Sequence, residues 1–270
     1  MLPVRGLLLI NPRAGTDEPT TDDLGNAARA RGIDVLFLQE GEDPAELARA
    51  AASEVLGAAG GDGSVASVAA VAVERDLPLV VVPYGTRNHF ARDLGLDRND
   101  PLAALEAFEG HERRVDVGRA GERRFLNNVS LGAYAALVHR REHHRRRREA
   151  LAGLRALGIS LRERAEVWAT LNREPVRGRV LLVANNAYEL SLFSIGERTR
   201  LDEGRLHLYT ANGLLPHAWE ERRGERFELD SPAGRLEAAI DGEPAVLETP
   251  LELRIEPGAL RVLLPRVPRR

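Results

Sequence analysis

The stretch EVLGAAGGDGSVASVAAVAVERDLPLVVVP, residues 54–83, decides the fold. A short apolar run (54–59) ends at Gly60 and Gly61. Asp62 and Gly63 follow, then a small-residue helical pattern over 64–75 and a second apolar run at 77–83. Strand, glycine turn, helix and strand in this order predict a parallel βαβ unit. Adjacent glycines lose more backbone entropy on ordering than any other pair, so the loop needs a reason. A helix start offers one: its first N–H groups are unpaired and its dipole favours an anion, while the lack of a Cβ lets phosphate oxygens approach. A second loop of the same kind, YGTRN (84–88), leaves the next strand. Ligands of open parallel sheets bind at these strand ends. Either loop alone is also what an ordinary strand-to-helix turn looks like. Both together, with Asp62 inside the first, point to phosphate. A carboxylate beside phosphate repels it unless it holds a divalent cation or takes up a proton, so Asp62 suggests phosphoryl transfer.

Working outward, apolar runs at 6–10 and 33–39 predict two further strands, and a polar helix is predicted over 20–31. Asp43, Pro44 and Glu46 form a helix opening with N-cap, first-turn proline and capping-box acid. Asp100-Pro101 repeats that opening. After about residue 112 the texture becomes short runs punctuated by Gly, Pro, Asn and Asp, which predicts a β-rich region. One helical pattern interrupts it at 133–158. The expected organisation is an α/β domain over 1–115 and a β-sandwich domain over 116–270, with the ligand expected where two domains meet.

Composition narrows the chemistry. A net charge of -3 gives no global basic field for nucleic acid. There is no cysteine, so disulfides and thiolate metal sites are excluded. All 38 basic residues are arginine, which excludes a lysine-bearing phosphate loop and a Schiff base. No apolar run reaches about 18 residues, so a cytoplasmic protein with at most peripheral membrane contact is expected. The basic run HRREHHRRRRE (139–149) is a solvated helix face or a dock for anionic lipid. His139 and His143 have metal-ligand spacing there but lack an HExxH frame.

NPRAG (11–15), GGDGS (60–64), PYGTRNHFARDLG (83–95), FLNNVSLGAY (125–134), LDEGRLHLY (201–209), IDGE (240–243) and PGALRVLLP (257–265) occur in one order along the chain. In this order they resemble the diacylglycerol kinase catalytic-domain family, whose relatives include sphingosine and ceramide kinases. The resemblance implies a nucleotide-binding domain similar to phosphofructokinase and NAD kinase, followed by a β-sandwich carrying a lipid site. It implies ATP and Mg²⁺ as cofactors and a lipid alcohol as acceptor at a membrane surface. Gly60, Gly61, Asp62 and Gly63 match the family's phosphate loop, with Ser64 where threonine is usual. Gly85, Thr86 and Asn88 match the second loop. Asn11, Pro12 and Gly15 match the N-terminal nucleotide loop, with Arg13 in place of a common lysine. Glu243 matches the acid assigned to deprotonate the lipid hydroxyl, and Asp62 competes for that role. Asp202 matches a possible ligand of a structural divalent ion, although a plain turn explains it equally. His89 stands where several bacterial members carry an aspartate that acts on Mg²⁺ through water, and neutral imidazole is a poor ligand for that ion. Two other readings stay open: a kinase of a soluble alcohol, and a nucleotide- or lipid-binding regulator with little catalysis. A homodimer is left open as well.

Overall fold

The computed structural model describes residues 6–15, 18–132, 167–178, 180–191, 194–195, 197–211 and 219–266. The expected helix at 133–158 and the basic run at 139–149 lie outside them. The chain divides into two compact units, residues 1–115 with 258–270 and residues 116–257.

The first unit alternates strand and helix: β1 (Gly6–Ile10), α1 (Thr21–Ala30), β2 (Asp34–Phe37), α2 (Pro44–Ala50), β3 (Val55–Gly60), α3 (Asp62–Glu74), β4 (Leu79–Pro83) and α4 (His89–Asp93). β1, β3 and β4 are buried along their whole length, as strands covered on both faces must be. They pair in parallel in the order β2-β1-β3-β4. Local chemistry fixes the helix starts. Thr20 and Asp23 close a reciprocal capping box on α1, and the Asp43 carboxylate accepts the Ala45 N–H while Pro44 opens α2. The Asp100 opening ends differently from expectation. Asp100 accepts the Ala103 N–H, and the chain winds into a 3₁₀ helix over Ala103–Glu109 instead of an α-helix. Gly110 ends it, packed so closely on the Leu264 carbonyl that a Cβ would collide.

The second unit is antiparallel: β5 (His111–Ala120, entering from the first unit), β6 (Arg123–Phe125), β7 (Asn128–Gly132), β8 (Val167–Leu171), β9 (Glu174–Gly178), β10 (Val180–Asn185), β11 (Leu190–Ser191), β12 (Ser194–Ile195), β13 (Leu206–Ala211), β14 (Trp219–Gly224), β15 (Arg226–Asp230), β16 (Arg235–Ile240), β17 (Glu243–Glu248) and β18 (Leu251–Leu264). Six strands form a sheet in the order β14-β13-β10-β7-β16-β17. A second layer contains β15 paired with the first half of β18 on one side and with β8 on the other. Alternate side chains of both layers, among them Phe125, Leu131, Leu181, Leu208, Phe227 and Leu253, share one apolar core, the arrangement of a β-sandwich.

The last residues differ from the expected division. β18 leaves the sandwich at Gly258, and Val262 and Leu263 then pair in parallel with Leu79 and Val80 of β4. The end of β18 therefore adds to the parallel sheet of the first unit, although its sequence adjoins the β-rich region.

Candidate active site

Three loops at the carboxyl ends of β1, β3 and β4 build the candidate site of the first unit. α3 begins at Asp62 itself, with Gly61 as N-cap at φ -79° and ψ 177° and no side chain capping it. Its first-turn N–H groups are thus not consumed by a side-chain cap. The glycines serve by clearance, since Gly61 has an ordinary negative φ. A Cβ on Gly61 would meet no atom within 4 Å, whereas a Cβ on Gly85 would come 2.5 Å from the Gly61 Cα. The two loops touch backbone to backbone, and the space beyond Gly61 is open.

Side chains lock this contact. The Asp62 carboxylate accepts the Phe90 N–H at 3.2 Å, so the first residue of α3 caps α4. Asn88, at φ 49°, receives the Gly85 N–H on Oδ1 (3.1 Å) and donates Nδ2 to the Gly85 carbonyl (2.7 Å). Asn11 joins the third loop by donating Nδ2 to Ser64 Oγ at 3.0 Å, and its own Oδ1 accepts the Arg13 N–H. Gly15 lies against the Tyr84 ring, where a Cβ would collide. Pro12 and Thr86 are exposed on the same loops. The structure thus gathers Asn11, Gly60, Gly61, Asp62, Ser64, Gly85, Asn88 and His89. The Arg13 guanidinium lies 3.7 Å from Glu40 on the surface, its side chain paired outward.

His89 opens α4, an exposed residue whose ring is partly shielded from solvent by its neighbours. Desolvation holds its pKa below the ordinary value, with Arg92 and Arg87 adding to that and the nearby Asp62 opposing it. The ring is therefore neutral at pH 7. Asp93, the next acid along α4, has a fully buried side chain in contact with Arg92 at 2.8 Å.

Clearance beyond Gly61, an uncapped helix start and the Ser64 hydroxyl fit the phosphates of a nucleotide. Among the described residues no group of three or more His, Cys, Asp or Glu side chains gathers around a metal position. Asp62, with Oδ1 on the Phe90 N–H, is the acid these loops would offer a divalent cation held jointly with substrate phosphates. Asp202 is half-exposed and 3.3 Å from Arg200.

The second unit holds Glu243, exposed at the start of β17. Next to it lies a polar network that sequence reading missed. Arg198, 2% exposed, donates to the carbonyls of Leu126 (2.6 Å) and Asn185 (3.0 Å) and to Asn127 Oδ1 (2.6 Å). Asn185 donates to the carbonyls of Asp116 and Leu126, and Asp116 accepts the Gly204 N–H. Asp241 is a half-buried residue whose carboxylate sits beneath three backbone N–H donors. Burial pushes its carboxyl up to about 6, against the pull of those donors and of Arg198. Buried His207 has Glu203 Oε2 at 2.9 Å from one ring nitrogen and Glu221 Oε1 at 2.7 Å from the other. The paired asparagines at 127–128 and 185–186 were a usable signal, because polar pairs ending apolar strands need partners. Arg198 carried no local signal.

Residues 5–120 match the model of the diacylglycerol kinase catalytic domain. A Pseudomonas fluorescens protein named as a probable YegS-like lipid kinase is 29% identical, the match covering 97% of this chain and 95% of the relative. A Mycobacterium tuberculosis diacylglycerol kinase is 27% identical over 96% of this chain and 94% of its own. Among solved structures, a Bacillus anthracis diacylglycerol kinase superposes with a TM-score of 0.70 at 17% identity, covering 96% of both chains. At that identity the superposition speaks for the fold, an α/β unit followed by a β-rich one.

Proposed function

We propose that this chain, whose residues 5–120 match the diacylglycerol kinase catalytic-domain model, is an ATP- and Mg²⁺-dependent kinase of diacylglycerol or a similar lipid alcohol. The observation that carries this reading is the contact of Gly61 with Gly85, locked by the Asp62–Phe90 bond, with open space at an uncapped helix start. Relatives named for lipid phosphorylation match over nearly the whole length, β-rich unit included, which favours a lipid acceptor over a soluble one.

Bound Mg·ATP supplies the transferable γ-phosphoryl group and a cation that neutralises charge on it. The chain's residues bind and orient. N–H groups at the start of α3 and the Ser64 hydroxyl hold phosphate oxygens. Asn11 and Asn88 fix the loops that carry them. Asp62 accepts the Phe90 N–H on one oxygen, and its carboxylate would help hold the cation. Glu243, exposed at a turn, is the general base that takes the proton from the lipid hydroxyl. His89, neutral at pH 7, leaves the metal to Asp62 and the phosphates. The acceptor is reached at a membrane surface, with residues 139–149 as the peripheral contact, and no described helix is long and apolar enough to cross a membrane.

The test is a panel of lipid alcohols and soluble alcohols incubated with Mg·ATP and read by mass spectrometry. A phosphoryl mass gain on diacylglycerol or a related lipid alcohol supports the proposal. A gain on soluble alcohols alone refutes it.

A further inference from the structure

Asp241 and Gly242 form the two-residue turn between β16 and β17, with φ of 50° and 84°, and Ile240 pairs with Glu243 across it. Two left-handed residues match the right-handed twist of the flanking strands. Glu243 thus leaves the turn in one register. An aspartate in such a turn ordinarily bonds its own neighbours. Here it reaches far along the chain. Oδ2 accepts the Leu126 N–H at 2.7 Å, and Oδ1 accepts those of Asn127 (2.7 Å) and Asn128 (3.0 Å). The Asp241 N–H donates in return to the Asn128 carbonyl at 2.9 Å. Arg198 holds the same segment through the Leu126 carbonyl and the Asn127 side chain.

This clamp has two chemical consequences. Both Asp241 oxygens are committed to backbone donors, so Asp241 is unsuited to take a proton from substrate. Its three charge-assisted bonds also tie the turn to a segment whose carbonyls and side chain are themselves fixed, which is how a loop acid acquires one orientation.

We propose that Asp241 is a positioning residue: clamped on the Leu126–Asn128 backbone, it fixes the Asp241–Gly242 turn and thereby orients the Glu243 carboxylate for proton transfer. The inference rests on the assignment of Glu243 as base.

A double-mutant cycle in the intact protein tests it, with Asp241→Asn, Glu243→Gln and the pair. Asparagine keeps the shape but turns an NH₂ group toward backbone N–H donors. Asp241→Asn lowers kcat about tenfold with KM for ATP unchanged, and Glu243→Gln lowers it about a hundredfold. The double variant matches Glu243→Gln alone, because a positioning residue has nothing left to position. Equal fractional losses in both backgrounds overturn the positioning role while leaving the base assignment standing. Full activity in Glu243→Gln removes the base assignment and the positioning role with it. Amide hydrogen exchange gives a readout free of activity: Leu126, Asn127 and Asn128 exchange about tenfold faster in Asp241→Asn, and unchanged rates overturn the clamp. Should Asp241→Asn fail to fold, Gly242→Ala replaces it. Its added Cβ meets no atom within 4 Å, so only the left-handed turn is strained. The same non-additive loss is expected, and an additive one refutes the inference.

Discussion

Alanine at Gly61 and alanine at Gly85 separate folding from nucleotide binding, because the two glycines are needed for different reasons. The Cβ of Gly85→Ala comes 2.5 Å from the Gly61 Cα, 2.8 Å from its N and 3.0 Å from Asn88 Oδ1. Two of those atoms are backbone and cannot swing aside, so the loops must separate. Overpacking of this kind costs about 1–3 kcal/mol, which in a chain of this size lowers Tm by about 2–10 °C. Gly61→Ala meets no atom within 4 Å, and φ -79° is open to alanine. Its stability loss is confined to the poorer N-cap, about 1 kcal/mol or less. The methyl group instead enters the space where phosphate oxygens would sit. The same 1–3 kcal/mol, now set against the ligand, weakens ATP binding by about 5- to 150-fold. Calorimetric unfolding and isothermal titration with ATP measure both quantities. The reasoning is refuted if Gly61→Ala binds ATP as tightly as the wild type, or if it unfolds as early as Gly85→Ala.

Two further outcomes follow from single side chains. Arg198→Met removes the side-chain donor to the Asn185 carbonyl and Asn127 Oδ1, one of two donors to the Leu126 carbonyl, and the cation near Asp241. It costs about 3–5 kcal/mol by denaturant unfolding, and a loss under about 1 kcal/mol would contradict the network. The His89 ring titrates below its ordinary 6.5 in the folded protein, chiefly through desolvation. Because the folded-state pKa is depressed, His89 favours the unfolded state as pH falls through 6.5 toward that lower value, so its share of stability is present above 6.5 and lost below. An NMR titration midpoint at or above 6.5 would contradict this.

Much of the first unit was legible because its signals are local. Apolar runs, N-caps and the two glycine loops each occupy a few consecutive residues, and the βαβ reading needs nothing beyond them. The role of the glycines was less so. Sequence presents Gly60-Gly61 as a costly loop, and only the structure shows that Gly85 lies against Gly61 while Asp62 caps α4. The β-rich unit gave up its strands but not its polar core. Arg198, Asn127 and Asp241 meet across 71 and 114 positions of chain, and no periodicity encodes such pairings. The same applies to β18, whose apolar end looks like any other strand until it pairs with β4. Arg13, which stands where a lysine is common in the motif, lies beside Glu40, two exposed opposite charges close enough to pair.

Transfer of label from γ-labelled ATP to diacylglycerol in mixed micelles, by the wild type and by Asp62→Asn, tests whether the protein is a lipid kinase that depends on Asp62. Asparagine keeps an oxygen for the Phe90 N–H but loses the charge that would help hold the cation. Labelled phosphatidic acid is expected from the wild type, and about a hundredfold less from the variant. Undiminished labelling by Asp62→Asn, or no labelled product from any lipid alcohol, would contradict it.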